Sequence, residues 1–429
     1  MAELGDYVEV KTNTELVQGI LMPSNQEDVV VIKLDNGYNV GVERKDVLSM
    51  RLIKQKETLK DIAKPSPEKK KGLKNIVVLH TGGTIASKVD YKTGGVVAQF
   101  SAADLIEMVP EIQHVANVDT ELVANMMSED IGFDEYKLII SAIEKNVKNK
   151  VDGIIIGHGT DTLGYTVAAL TFAFEKINIP VLIVGAQRSP DRGSSDAAMN
   201  LLCAAKFIVN SDFVGVAVCM HHTSGDDYCA ILPGTKTRKM HTSRRDAFKA
   251  INDSPIALIN YTDGKIKFIK EDYSKKSKDN ELIIKREFSE NVGLMKVHPQ
   301  MDNKLFSFFA KNYSGFVIEG TGMGHAPTNL GENNLKNYEI LREFISNGGI
   351  VAVTSQCLNG AVSPLVYTNL RRLSNIGCIF CEDMLPETAY IKLSWLLGNY
   401  PKEKVKELMG KNLRGEINLS RTYLPEFIE

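Results

Sequence analysis

With 429 residues the chain is too long for one compact domain, so two or three are expected. A hydrophobic fraction of 43% supplies sizeable cores, and a net charge of −2 excludes a surface built throughout for nucleic acid while allowing a local basic patch. No window approaches the ~20 apolar residues that span a bilayer, and the acidic start (Glu3, Asp6, Glu9) does not read as a secretory signal; a cytoplasmic protein without membrane contact is expected.

Residues 1–53 read as a small all-β module, an SH3- or Sm-like barrel. Tyr7–Lys11, Leu16–Leu21, Val29–Leu34 and Asn39–Val42 are short β-prone runs, and Asp35-Asn36-Gly37 is a hairpin turn between two of them. Such a module is too small to hold a catalytic cleft, so binding or docking is its expected use. Residues 54–74 then change character. From Lys54 to Asn75 eight lysines face three acids, with Pro65 and Pro67 in the middle. This is a linker composition; a solvated tether is expected, with RNA contact as the alternative.

From residue 75 to 264, apolar strand-like runs alternate with helical spacing. Ile76–Leu79, Gly153–Ile156, Val181–Val184 and Val214–Cys219 are rich in Val and Ile, as buried parallel strands are. Ala102–Met108, Tyr136–Asn146 and Thr166–Lys176 carry apolar residues at helical spacing. The alternation predicts an α/β domain on an open, largely parallel sheet. A charged, irregular connection over 265–290 leads to a second α/β unit over 291–429. There Phe316–Ile318 and Ile350–Thr354 are expected strands, and Asn337–Ser346 and Glu387–Leu397 expected helices. Of the six cysteines only Cys378 and Cys381 form a C-x-x-C pair. No second pair stands nearby to complete a zinc site, so buried reduced thiols on one short strand are expected.

Three segments carry chemistry. In the first, Leu79-His80-Thr81-Gly82-Gly83-Thr84-Ile85-Ala86-Ser87, an apolar strand runs into a turn with two glycines and two threonines. Ligands of open α/β sheets bind beyond the carboxyl ends of strands, where these hydroxyls fall, and glycine lets backbone N–H groups approach a substrate oxygen. In the second, Ile154–Ile156 leads into Gly157-His158-Gly159-Thr160-Asp161-Thr162. A threonine hydroxyl is a poor nucleophile until a base or cation eases its deprotonation. Asp161 can orient such a base or hold an ammonium. His158 is either that base or a histidine satisfied by groups beside the turn. The third is the basic loop Thr235–Arg245, in which a lysine desolvated near a hydroxyl can act as base; a solvated surface loop is the alternative.

Together these segments resemble the L-asparaginase family. Its first signature, T-G-G-T-I-A, stands at Thr81–Ala86, and its second, H-G-T-D-T, at His158–Thr162. Its lysine motif matches at Lys239, with a similar spacing to Phe248, and a substrate-binding Ser-Gln/Glu segment appears as Ser128-Glu129. Val184–Arg188 is similar to another family strand, and the likeness runs from Asn75 to the C-terminus. The resemblance implies an α/β, L-asparaginase-like two-domain fold preceded by the β-barrel module. It implies Thr84 as nucleophile on the amide carbon and Thr160, Asp161 and Lys239 as the relay that activates a hydroxyl and passes a proton to departing ammonia. It also implies that Asp161 binds the substrate α-ammonium, and that Ser128 and Glu129 grip the α-carboxylate and α-amino ends.

The chain departs from ordinary asparaginases in three ways. Tyr91 follows the first signature but is out of register with the family's covering tyrosine, and Ser363–Cys378, which matches a stretch lending an acid across subunits, has no acid. Plain asparaginases also lack the barrel and the basic linker. With Cys381–Ala389, these additions resemble the archaeal glutamyl-tRNA(Gln) amidotransferase D-subunit family. That resemblance implies ammonia release from glutamine or asparagine and a separate, tRNA-binding E-type subunit that acts on Glu-tRNA(Gln). ATP and Mg are expected in that partner, with no cofactor and no metal in this chain, which has no G-x-x-x-x-G-K-[ST]. A homodimeric core within a heterotetramer is the implied assembly. The competing readings are a free-standing cytoplasmic asparaginase and a non-catalytic RNA-binding scaffold.

Overall fold

The computed structural model describes residues 2–24, 26–55, 69–82, 108–190, 192–278 and 281–420, with the backbone of 87–89 and 96–98. The expected helix over 102–108 lies, but for its last residue, outside the described residues.

The N-terminal module is a five-stranded antiparallel sheet. Its strands are β1 (Tyr7–Lys11), β2 (Leu16–Met22), β3 (Val29–Lys33), β4 (Asn39–Glu43) and β5 (Ser49–Lys54), in the order β4-β3-β2-β1-β5. Alternation places Val8, Val10, Val17, Val30, Ile32 and Val42 in its core. Gly37 takes φ +82° in the expected turn, a conformation that glycine enters without a Cβ penalty. The strand β5 has no counterpart among the expected runs; all six of its residues are exposed, and Met50, Leu52 and Ile53 stay outside the module's core. The turn bearing Tyr38 touches the large α/β unit that follows: its hydroxyl lies 3.2 Å from that of Ser194, and the Arg192 guanidinium stacks over its ring. The end of the basic segment also lies on that unit. Lys69 pairs with Asp119 at 2.7 Å, and Lys74 donates to the Val209 carbonyl at 2.7 Å.

The large unit is built on an eight-stranded sheet. In spatial order its strands are Ile266–Phe268, Ala257–Asn260, Tyr228–Pro233, Gly215–His221, Pro180–Val184, Gly153–Gly157, Asn75–His80 and Asn117–Leu122. The last five run parallel, and the first three join them antiparallel. Because both faces are covered, alternate residues face opposite layers. Val77, Leu79, Ile154 and Ile156 pack under helices Phe133–Lys148 and Leu163–Ala173. Ile76, Val78, Ile155 and Leu182 pack under Ala197–Asn210. The expected helix over 166–176 stops at Ala173, and Phe174–Lys176 pairs as a short strand with Ile283–Ile284. That helix is apolar around most of its circumference, so spacing alone does not mark where it ends. The stretch expected to be irregular from 265 thus contributes the sheet's edge strand and this small ribbon.

The second unit is a four-stranded parallel sheet, Val292–Lys296, Gly315–Gly320, Ile350–Ser355 and Ile379–Phe380, in sequence order. Helix Pro386–Asn399 lies between the two units and shares its core with both. Its Trp395 is buried, stacks on Phe172 at 5.5 Å and donates to the Lys285 carbonyl at 3.0 Å. Lys392, fully buried on the same helix, pairs with the equally buried Glu416 at 2.6 Å, tying down the chain that follows. Cys378 and Cys381 are buried and flank the two-residue strand rather than sitting on it; burial pushes both thiols up to about 12. Among the described residues no helix is long and apolar enough to cross a membrane.

Candidate active site

Among the five parallel strands, chain order reverses between Asn75–His80 and Gly153–Gly157. The turns that leave two such strands diverge to opposite faces of the sheet, opening a crevice at their carboxyl ends. Both threonine-bearing turns leave from there. His80 sits opposite Gly157 in register, and Thr81 joins the turns by donating from its backbone N–H and its hydroxyl to the Gly157 carbonyl, at 3.1 and 3.0 Å. Gly82 follows with φ +103°, and a Cβ there would stand 2.4 Å from the Met126 carbonyl oxygen. Only glycine lets these two loops meet. Thr84, the residue expected to attack, and Tyr91 lie outside the described residues.

The second turn is held from two sides. A Cβ on Gly159 would lie 2.7 Å from the Cβ of Ser128, and the Thr162 hydroxyl donates to the Ser128 carbonyl. Ser128 is buried at the start of a short 3-10 turn, Ser128–Asp130, while the neighbouring Glu129 is exposed. On the other side a Cβ on Gly185 would stand 2.8 Å from the Thr160 methyl. The methyl therefore faces Gly185, and the hydroxyl faces Lys239. His158 is fully buried. Its Nδ1 lies 2.6 Å from the Gly159 carbonyl and its Nε2 2.9 Å from the Thr166 hydroxyl. Burial pushes its pKa down to about 4. With both nitrogens engaged away from the crevice, it is the satisfied structural histidine of the two readings.

The basic loop is ordered by pairing. Thr237–Lys239 and Phe248–Ala250 form an antiparallel ribbon in which Lys239 stands opposite Phe248. Arg238, Arg244 and Arg245 pair with Glu387, Asp246 and Asp226, so the loop is no free cationic surface. Lys239, with 14% of its side chain exposed, extends its ammonium to 2.8 Å from Thr160 Oγ1 and 2.8 Å from Asp161 Oδ1. The structure thus brings Thr160, Asp161 and Lys239 into one hydrogen-bonded group from two segments 78 residues apart. Ser128 lies against the same turn. Gly185 and Lys236 were not marked by sequence reasoning as supports of this group: the first stands in a plain Val-Gly-Ala run, and the second is one cation among several.

A cavity of about 590 Å³ lies at the other end of the sheet, lined by residues such as Phe174, Gly215, Pro233 and Arg414; none of the site residues borders it. Among the described residues no group of three or more His, Cys, Asp or Glu is placed to hold a metal ion.

Three stretches of the chain match known families. Residues 75–274 match the family "Asparaginase, N-terminal", residues 291–409 the "Glutaminase/Asparaginase C-terminal domain", and residues 2–53 the "GatD N-terminal domain". The chain is 44% identical to the glutamyl-tRNA(Gln) amidotransferase D subunit of Methanococcus maripaludis (strain C5), over 97% of this chain and 99% of that one. It is 45% identical to the protein of the same name from Pyrococcus furiosus, over 97% and 95%. Among solved structures, the thermostable L-asparaginase from Thermococcus kodakarensis superposes with a TM-score of 0.71 at 29% identity, covering 81% of this chain and all of that one. L-asparaginase I from Vibrio cholerae O1 biovar eltor gives a TM-score of 0.70 at 27% identity, with the same coverage. With relatives this similar along nearly its whole length, the chain belongs to the glutamyl-tRNA(Gln) amidotransferase D-subunit family, an asparaginase-type fold with an added N-terminal β module.

Proposed function

We propose that this chain is the ammonia-releasing subunit of a tRNA-dependent amidotransferase, cleaving the side-chain amide of glutamine or asparagine with a threonine nucleophile. The observation that carries the reading is Lys239, whose ammonium nitrogen is 2.8 Å from both Thr160 Oγ1 and Asp161 Oδ1 in the crevice at the sheet's switch point. Such a group is suited to proton transfer, because donor and acceptor are within hydrogen-bond reach and the lysine is largely withdrawn from water.

In this account Thr84 Oγ adds to the amide carbon, and the C–N bond breaks as ammonia leaves with a proton delivered through Thr160 and Lys239. Water then hydrolyses the resulting ester, releasing the amino-acid carboxylate and restoring the threonine. Asp161, exposed at the crevice mouth, holds the substrate α-ammonium, and Ser128 and Glu129 bind its α-carboxylate and α-amino ends. The named relatives at full length support transfer of the ammonia to Glu-tRNA(Gln), giving Gln-tRNA(Gln). A tRNA-binding E-type partner that brings ATP and Mg performs that step, and the assembly is a homodimeric core within a heterotetramer in the cytoplasm.

Ammonia release from glutamine by Thr160→Val and Lys239→Met tests the relay. Both variants are expected to lose at least a hundredfold in turnover, about 2.7 kcal/mol of barrier, with the wild-type circular dichroism spectrum. Turnover within tenfold of wild type in the folded Lys239→Met protein would contradict it.

A further inference from the structure

Lys236 stands three residues before Lys239 and has no exposed side-chain surface. A wholly buried ammonium is unfavourable unless paired, and burial pulls it below the usual lysine range while the Asp383 carboxylate opposes that pull. The Lys236 ammonium donates to Asp383 Oδ2 at 2.8 Å and to the Asp383 carbonyl at 3.3 Å. Asp383 belongs to the second α/β unit and is itself fixed: Asn418 donates to it from its backbone N–H at 3.0 Å and from its amide at 2.9 Å. The contacts on either side repeat the theme. The Thr388 hydroxyl donates to the Thr235 carbonyl at 2.9 Å, and Arg238 approaches Glu387 at 3.4 Å. Glu387 is buried, and burial raises its carboxyl above the ordinary range despite Arg238.

Thr235, Lys236 and Arg238 are thus each bolted to the single segment Asp383–Thr388 of the other unit. Lys239, the next residue, is the first in this run to turn to the crevice. A strand held at three points by a rigid neighbour has little freedom to displace its fourth side chain, and proton relays lose much of their rate for displacements near an ångström. We propose that Lys236, through its buried pair with Asp383, is a positioning residue for Lys239, and that the second unit thereby sets the geometry of a relay whose members all come from the first. This rests on the relay reading above.

The experiment is steady-state ammonia release from glutamine by the full-length chain, comparing Lys236→Met, Asp383→Asn and Thr388→Val with Lys239→Met. Thr388→Val removes one bolt, keeps its shape and leaves no charge buried, so it provides a folded variant if the two charge variants do not fold. Lys236→Met is expected to lower kcat at least tenfold with KM within threefold of wild type, because substrate contacts are untouched while the relay is displaced. Thr388→Val is expected to lower kcat threefold or more with the same unchanged KM. A folded Lys236→Met protein with wild-type kcat would overturn the proposal, as would a wild-type kcat in Thr388→Val where Lys236→Met fails to fold. Should Lys239→Met itself keep near wild-type turnover, the relay reading fails. Should Lys239→Met be inactive while Lys236 and Thr388 variants are unaffected, only the positioning role fails.

Discussion

At the scale of single residues, the crevice combines one lysine drawn to a hydroxyl with a histidine withdrawn from any such role. The same four-residue stretch that places Thr160 and Asp161 at the mouth buries His158 behind them. Its sequence neighbours gave no means of separating a base from a structural ring; burial and two hydrogen bonds do so. His158 has a measurable consequence for stability. Its folded pKa, about 4, is below the ordinary value near 6.5, so between these limits the unfolded chain binds the extra proton. The stability it contributes is present above pH 6.5 and is lost as pH falls toward 4, at up to about 1.4 kcal/mol per pH unit. Thermal melts from pH 7 to 5 should show a steeper fall in Tm for the wild type than for His158→Gln; equal slopes would show that His158 does not titrate in this way. Thr84→Val keeps side-chain shape while removing the hydroxyl, and is expected to abolish ammonia release. Residual turnover within about tenfold, roughly 1.4 kcal/mol, would remove Thr84 from the nucleophile's role.

At the scale of elements, the site exists because loops from four strand ends approach within contact distance. Glycine makes this possible at Gly82 against Met126, at Gly159 against Ser128 and at Gly185 against Thr160. Gly82→Ala adds a methyl where a carbonyl oxygen already stands and strains a positive φ, so it should destabilise the fold by about 2 kcal/mol or more. Chemical denaturation that found less than about 0.5 kcal/mol would show that the loops readily separate. Elsewhere the buried Lys392–Glu416 pair predicts that Lys392→Met costs about 3–5 kcal/mol, since it leaves a buried carboxylate without its cation. Strands were legible in the sequence where both faces are buried, as in Ile154–Ile156, because a short continuous run of Val and Ile suits a strand covered by helices on both sides. The edge strands β5 and Ile266–Phe268 were not: the apolar residues of β5 are exposed, and Ile-Lys-Phe alternates over only three residues, too short a run to mark a strand. The Thr160, Asp161 and Lys239 trio was legible as motifs, whereas its supports were not. Lys236 looks like any surface cation until the partner carboxylate, 147 residues away, is placed beside it.

At the scale of the whole molecule, one helix, Pro386–Asn399, joins two sheets, and the segment at its head holds the strand that leads to Lys239. The β module reaches the large unit through Tyr38, on Ser194 and Arg192, in the loop that follows the strand ending beside Gly185. A subunit that frees ammonia with no acceptor at hand wastes it, so a coupled enzyme gains by idling until its partner is loaded. That requires two states of the site which the partner binds with different affinity. Deletion of residues 1–74 should therefore weaken stimulation by the partner, or assembly with it, more than it lowers intrinsic amidase activity, as paired kinetics and size-exclusion chromatography would show.

The most direct test of the central claim is the rate of ammonia release from glutamine by the full-length chain, alone and with a tRNA-binding E-type partner and Glu-tRNA(Gln). The account predicts slow release by the isolated chain and stimulation of tenfold or more in the loaded complex. A chain that is fully active alone and indifferent to partner and tRNA would contradict it, leaving a free-standing asparaginase in its place.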